Sequence, residues 1–395
     1  MPAHHLDLAT QGGLADILPA VAASYGIGGD DSATAPFSLT PNRDVVVLLI
    51  DGLGATLLEQ HRELAPTLHS RIAHTIAAGF PATTATSLST LAIGAPCGAH
   101  GIIGYSFGLP EQGSGRRLFN SLRWRFDSAR GEDARADLPP REAQRRTSRL
   151  EQLAGAGIEV HYVAPGYQEH SGLTRASFRA GGTFHDASTI DEVRNGVLEV
   201  AALPGTQRHF VYAYYPDLDA AGHIFGPGSP EWKGELIKVD TLVGDLLSAL
   251  PSTTTLLVTG DHGMIAAGHA VNLDAEKELA SGVILVAGEA RVRHVYTESP
   301  AATEDVRERW AETLGEHAHV VTKEQALDEQ WFGPTPPSAD IERRIGDVLA
   351  VAEGTSVLLR PAGEPDESTM VGHHGAWTAD EQLVPLIAGE GAVRQ

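Results

Sequence analysis

The sequence predicts an α/β fold, a mostly parallel central sheet with helices on both faces. Three observations carry this. Short β-branched apolar runs recur along the chain, segments with helical spacing of apolar residues lie between several of them, and ionisable residues gather where the runs end.

The clearest run is Val45 to Ile50 (VVVLLI), apolar without alternation and therefore a strand buried on both faces, preceded by Pro41-Asn42 and closed by Asp51-Gly52. A helix is expected over Leu53 to His61 and the next strand over Ile158 to Val163. A helix over Asp191 to Ala202 then leads to a strand at Phe210 to Tyr214. Glu231 to Leu250 reads as a long helix, because Leu236, Val239, Leu242, Val243, Leu246 and Leu247 repeat on one face. Thr254 to Val258 and Val283 to Val286 are further strands of the same kind. There is no internal repeat and no low-complexity tract.

Composition bounds the function. With 29 Lys+Arg against 51 Asp+Glu the formal charge is −22, which argues against a surface that tracks nucleic acid or an anionic membrane. A hydrophobic content of 42% allows a large core. The single cysteine, Cys97, excludes a disulfide within one chain and a Cys-rich zinc module. The first 26 residues carry His4, His5, Asp7 and Asp16 and lack the basic and apolar regions of a secretory leader, and no run of about 18 apolar residues occurs. The expectation is a cytoplasmic protein without a membrane anchor. Between Arg116 and Arg149 ten arginines face five acids, with Phe119, Trp124 and Phe126 interleaved. A solvated helix pair is the bland reading of that run, and a lid turned toward an anionic substrate is the sharper one.

In open α/β sheets ligands collect beyond the carboxyl ends of strands. Asp51 closes the first strand, Asp219 and His223 follow the Phe210 run in PDLDAAGH, Asp261 and His262 follow the Thr254 run in TGDHGM, and His374 lies in a C-terminal GHHG. Taken alone each has a milder reading: a turn aspartate, a helical i,i+4 pair, a polar loop. Together, three Asp and three His suit a pair of borderline divalent ions, zinc first and manganese or iron as alternatives. The segment from Phe80 to Thr90 (FPATTATSLST) offers hydroxyls at the start of a helix, where free N–H groups favour phosphate. By itself that cluster reads as an N-cap. Beside divalent cations, which lower the pKa of a bound water from about 16 to about 7, a hydroxyl becomes a competent nucleophile toward phosphorus.

These residues, in this order, resemble the nucleotide pyrophosphatase/phosphodiesterase branch of the alkaline phosphatase superfamily. Phe80-Pro81-Ala82-Thr83-Thr84 aligns with its F-P-T-x-T, with Ala82 in place of the first Thr, Leu218 to Pro227 with its P-D-x-x-G-H-x-x-G-P apart from the leading Pro, Asp261 to Met264 with its D-H-G-M, and His374 with its G-x-H-G. The resemblance implies an alkaline-phosphatase-like catalytic domain spanning the chain, elaborated by an Arg-rich insertion over 106–150 and a cap-containing stretch over 266–370. It implies that Thr84 is the nucleophile, with Thr83 and Thr86 as rivals. One metal would be held by Asp219, His223 and His374, and the other by Asp51, Thr84, Asp261 and His262. His373 and Asp217 are the less favoured neighbours. Where the family commonly has an asparagine that donates to a phosphate oxygen, this chain has Ser87, the implied substrate-binding residue.

The implied function is hydrolysis of phosphodiester or phosphoanhydride bonds in a small anionic substrate, through a covalent threonyl-phosphate intermediate and two divalent ions. A sulfatase is disfavoured because Cys97 stands 13 residues beyond Thr84. Phosphonoacetate-hydrolase-like or phosphomonoesterase activity on the same ions stays open, as does a silent metal-binding relative.

Overall fold

The computed structural model describes residues 12–28, 36–41, 44–111, 115–389 and 393–394. His4, His5 and Asp7 of the leader test and Asn42 of the turn before the first strand lie outside them. The central sheet has seven strands: β1 (Asp44–Ile50), β2 (Ile72–Ala77), β3 (Glu159–Ala164), β4 (Thr183–Asp186), β5 (His209–Tyr215), β6 (Thr254–Thr259) and β7 (Leu383–Ala388). They run in the order β2-β7-β6-β1-β5-β3-β4. Every pairing from β6 to β4 is parallel, and β7 is antiparallel to both of its neighbours.

β1 occupies the middle because its side chains are apolar on both faces. Val45, Val47 and Leu49 enter one core, with helix α1 (Leu14–Ser24) and helix α2 (Thr84–Ile93). Val46, Leu48 and Ile50 enter the other, with helix α3 (Ile190–Ala201) and helix α5 (Pro230–Ala249). The apolar face expected on α5 is the buried one: Leu236, Val239, Leu242, Val243 and Leu246 are all within the core. The short helix α4 (Asp217–Phe225) joins β5 to α5. Among the described residues no helix is long and apolar enough to cross a membrane.

Two expectations are corrected. The run Val283 to Val286 does not join the parallel sheet. It begins the hairpin Val283–Glu289 and Val292–Thr297 of a separate antiparallel sheet, completed by Val348–Ala352 and Ala318–Thr322. That sheet packs against the helix Thr303–Leu314 through Val306, Trp310 and Leu314. An apolar run with a Gly-Glu-Ala-Arg turn behind it pairs locally, which periodicity alone does not reveal.

The second correction concerns the Arg-rich segment, which is no helix pair. Ser106–Pro110, Arg116–Asn120 and Arg125–Phe126 form a three-stranded antiparallel sheet whose Phe119, Trp124 and Phe126 are buried. The arginines alternate with these aromatics, so charge faces out while the rings make a core. Trp124 is anchored by its indole N–H donating to the Leu138 carbonyl at 3.0 Å.

Candidate active site

The carboxyl ends of β1, β5 and β6 converge, and the chain places an ionisable residue directly after each. Asp51 follows β1, Asp219 and His223 lie on α4 after β5, and Asp261-His262 follow β6. Close approach is possible because Gly52 has φ +74° and no side chain; a Cβ there would stand 3.0 Å from the Cα of Asp219. His374 arrives from the segment before β7, and Thr84 is the first residue of α2. Thr83, its N-cap, makes no side-chain cap, so the start of α2 presents backbone N–H groups toward the same space.

Within this group the three histidines are oriented alike. His262 Nδ1 lies 3.0 Å from the Gly263 carbonyl, His374 Nδ1 2.9 Å from that of Ala82, and His223 Nδ1 2.8 Å from that of Gly372. Each carbonyl can only accept, so each neutral ring carries its proton on Nδ1 and turns the Nε2 lone pair inward. The Thr84 hydroxyl then donates to His262 Nε2 at 3.1 Å. The same Nε2 is 3.5 Å from Asp51 Oδ1 and 3.3 Å from Asp261 Oδ2. Around a second focus, His223 Nε2 lies 3.2 Å from Asp219 Oδ2 and 3.2 Å from His374 Nε2. The foci adjoin: the His262 and His374 rings stack at 3.6 Å, and Asp219 lies within 4.8 Å of both Asp51 and His262.

The carboxylates are under-satisfied. Asp51 Oδ1, Asp219 Oδ1 and Asp261 Oδ2 are buried without a hydrogen-bond partner. Burial pushes the Asp51 carboxyl well above the usual carboxylate range, and the Asp261 and Asp219 charges add to it. Asp261 is raised as well, chiefly by burial. Asp219 also pays for burial, but the adjacent His223 outweighs that and holds it low. Burial opposes the charge on His223 too, yet Asp219 lifts the ring to about 9. Burial and the neighbouring His262 hold His374 far below the ordinary imidazole value. Imidazole Nε2 atoms and carboxylate oxygens 3.2–3.5 Å apart, two of those oxygens without a hydrogen-bond partner, are the donor set and spacing that divalent cations require, since ligands on a tetrahedral ion with bonds of about 2.1 Å stand about 3.4 Å apart.

Of the residues expected from sequence, Asp51, Thr84, Asp219, His223, Asp261, His262 and His374 come together. Ser87 lies in the first turn of α2, fully buried, and its hydroxyl has no hydrogen-bond partner. Thr86 is buried with an unpartnered hydroxyl, Asp217 is exposed, and His373 Nε2 is taken by the Met370 carbonyl at 3.1 Å. Cys97 is a buried small side chain whose thiol donates to the Phe80 carbonyl at 3.0 Å.

Three neighbours were not foreseen. The Tyr214 hydroxyl donates to Asp51 Oδ2. Tyr212 and Tyr214, alternate residues at the end of β5, line the cavity, and that alternation of polar-tipped rings was the available signal. Glu289, half-buried, lines it from the second sheet, its carboxyl raised to about 8 by desolvation against the pull of a hydrogen bond from Thr83. A glutamate in a hairpin turn gives no such hint. The cavity itself is about 950 Å³ and opens past Arg123, Arg125, Arg130 and Arg135 of the Arg-rich segment. Asp133 pairs with Arg135 and Asp366 with Arg130, so part of that positive charge is already matched. Arg116 is elsewhere, with its guanidinium 4.5 Å above the Tyr296 ring.

The sequence profile of type I phosphodiesterase / nucleotide pyrophosphatase matches residues 45–377. The chain belongs to this family of hydrolytic enzymes. An uncharacterized pyrophosphatase/phosphodiesterase of Schizosaccharomyces pombe is 27% identical over 232 residues, which cover 56% of this chain and 44% of that relative. The chain thus spans less than half the length of that curated relative. Murine ectonucleotide pyrophosphatase/phosphodiesterase 5, solved in an inactive form with AMP, superposes with a TM-score of 0.65 at 17% identity, covering 88% of this chain and 87% of the other. Phosphonoacetate hydrolase from Sinorhizobium meliloti, in complex with phosphonoacetate, gives 0.63 at 17% identity, covering 88% and 90%. Both likenesses establish a shared alkaline-phosphatase-like fold.

Proposed function

We propose that this protein hydrolyses phosphodiester or phosphoanhydride bonds of small anionic substrates, with Thr84 as nucleophile. The supporting observation is the joint orientation of His223, His262 and His374, whose Nδ1 atoms are tied to carbonyls while Nε2 faces orphaned carboxylates and the Thr84 hydroxyl. Asp219, His223 and His374 would hold one divalent ion, and Asp51, Asp261, His262 and Thr84 the other. When bound, these ions supply Lewis-acid charge that lowers the pKa of the threonine hydroxyl and stabilises negative charge on the transferring phosphoryl group.

The protein's own residues do the rest. Gly263, Ala82 and Gly372 fix the imidazole tautomers, and Gly52 N–H and His262 N–H both donate to Asp261 Oδ1 at 3.0 Å, which keeps its other oxygen inward. The start of α2 offers backbone N–H groups to phosphate oxygens. The Thr84 oxygen attacks phosphorus, the leaving group departs with the bond electrons, and water then releases the phosphoryl group from Thr84. Zinc is the favoured ion, because three imidazoles and three carboxylates without a thiolate suit it.

The test is a chromogenic phosphodiester. Thr84→Ala is expected to lose on the order of 10⁴-fold or more in kcat/KM with folding intact, and rapid acid quench of the wild type should leave a phosphoryl adduct on the peptide carrying Thr84. Undiminished turnover in Thr84→Ala would refute the assignment. Ratios of kcat/KM over diester, monoester and phosphonate then identify the preferred bond, since they report differential transition-state stabilisation.

A further inference from the structure

At the opposite end of the sheet a second set of imidazole and carboxylate groups converges. We propose that Glu159, His161 and His209 form an additional divalent-cation site, for zinc or another borderline ion, at the amino-terminal edge of the central sheet. Glu159 opens β3 and His209 opens β5, and the parallel register pairs these two residues directly. His161, two residues along β3, emerges on the same face as Glu159. His209 Nδ1 lies 3.3 Å from His161 Nε2 and 3.4 Å from Glu159 Oε2, and His161 Nε2 lies 3.9 Å from the same carboxylate oxygen. Ligands around a tetrahedral zinc with bonds of about 2.0–2.1 Å stand about 3.3 Å apart, so a small swing of Glu159 completes three corners.

The environment is that of a held site with an open side. The His161 and His209 side chains are 6% and 8% exposed while that of Glu159 is 50% exposed, which leaves a route from solvent and room for water in the fourth position. An outer partner is present: His161 Nδ1 is 3.2 Å from His185 Nε2, a contact that directs the His161 Nε2 lone pair toward the site. The backbone of His209 is clamped, with its N–H donating to Asp44 Oδ1 at 2.9 Å and its carbonyl accepting from the Tyr25 hydroxyl at 2.8 Å. A chain of hydrogen bonds from His209 through His161 to His185 also satisfies the rings, but such a chain has no use for Glu159, whose carboxylate faces both ring nitrogens. His209 and Tyr215 end the same strand, so the site lies about 20 Å from the catalytic end. A cation there cross-links neighbouring parallel strands and stabilises the folded chain by binding it alone.

The full chain, equilibrated with Zn²⁺ at low micromolar concentration and freed of unbound metal, is assayed for zinc per chain. Glu159→Gln and His209→Gln are each expected to hold one zinc fewer than wild type while retaining phosphodiester hydrolysis within about twofold. Asp219→Asn is expected to lose hydrolysis and catalytic zinc, and to lose one zinc more when combined with Glu159→Gln. Equal zinc content in wild type and Glu159→Gln overturns the proposal. Glu159 is half-exposed, so that variant decides the matter even where His209→Gln fails to fold. The zinc difference is read whether or not the protein hydrolyses diesters, which keeps this site separate from the catalytic one.

Discussion

Two regions of this molecule, the Arg291–Glu381 pair and the strand-end aspartates, bury charge in opposite ways. In the second sheet Arg291 is fully buried with its guanidinium forked onto Glu381, two bonds of 2.8 Å, and further bonded to the Ser356 and Gly354 carbonyls. Glu381 in turn accepts from the Ala376 N–H at 2.9 Å and the Thr378 hydroxyl at 2.6 Å. At the carboxyl end of the central sheet Asp51 and Asp261 are buried and Asp219 is mostly buried, yet each keeps an oxygen with no donor. Buried charge with every partner present serves to fix one sheet against the other. Buried charge that lacks donors is costly to the fold and is accounted for by a ligand that brings the missing positive charge.

The contrast is sharpened first by function. Thr84→Ala, which touches no orphaned carboxylate, should remove catalysis by on the order of 10⁴-fold or more and leave the melting temperature nearly unchanged. Next comes the satisfied pair. Glu381→Gln strands the Arg291 charge and should cost about 3–5 kcal/mol in denaturant unfolding; a loss under about 1 kcal/mol would break the contrast.

Zinc affinity provides the third case. His223 sits at about 9, so at neutral pH its ring carries a second proton that a cation must expel. Affinity should therefore rise with pH up to about 9, close to tenfold per unit for each proton released, read by calorimetry in buffers of different ionisation enthalpy. Binding without proton release would contradict the assignment.

Glu289 gives an effect confined to one pH window. Its folded value of about 8 exceeds the ordinary 4.5, so between those values the folded state keeps a proton that the unfolded chain has lost, and stability falls as pH rises through that window. Glu289→Gln removes this decline. Measured in chelator, its stability relative to wild type should grow by about 1.4 kcal/mol per pH unit from about 4.5 and level off above about 8.

Legibility followed the same division. β1 could be read because VVVLLI is apolar on both faces, and α5 because its buried leucines and valines keep one period. β2 was missed since IAHTIA mixes polar and apolar positions, and β7 because Pro385 interrupts it. That proline is tolerated since the ladder to β6 stops at Leu386 and Pro385 pairs only with β2. The site residues that end strands of the parallel sheet were legible from position and chemistry. Tyr214 and Glu289 were not, because their roles depend on which segments pack together.

The claim that the orphaned carboxylates are kept for cations is tested most directly by unfolding Asp51→Asn and wild type at neutral pH, each in chelator and in zinc. The account predicts that Asp51→Asn is the more stable protein without metal, because it no longer buries a carboxyl that the unfolded chain would ionise, and that zinc stabilises wild type much more than the variant. A variant that is less stable in chelator, and that gains as much from zinc as wild type does, would contradict it.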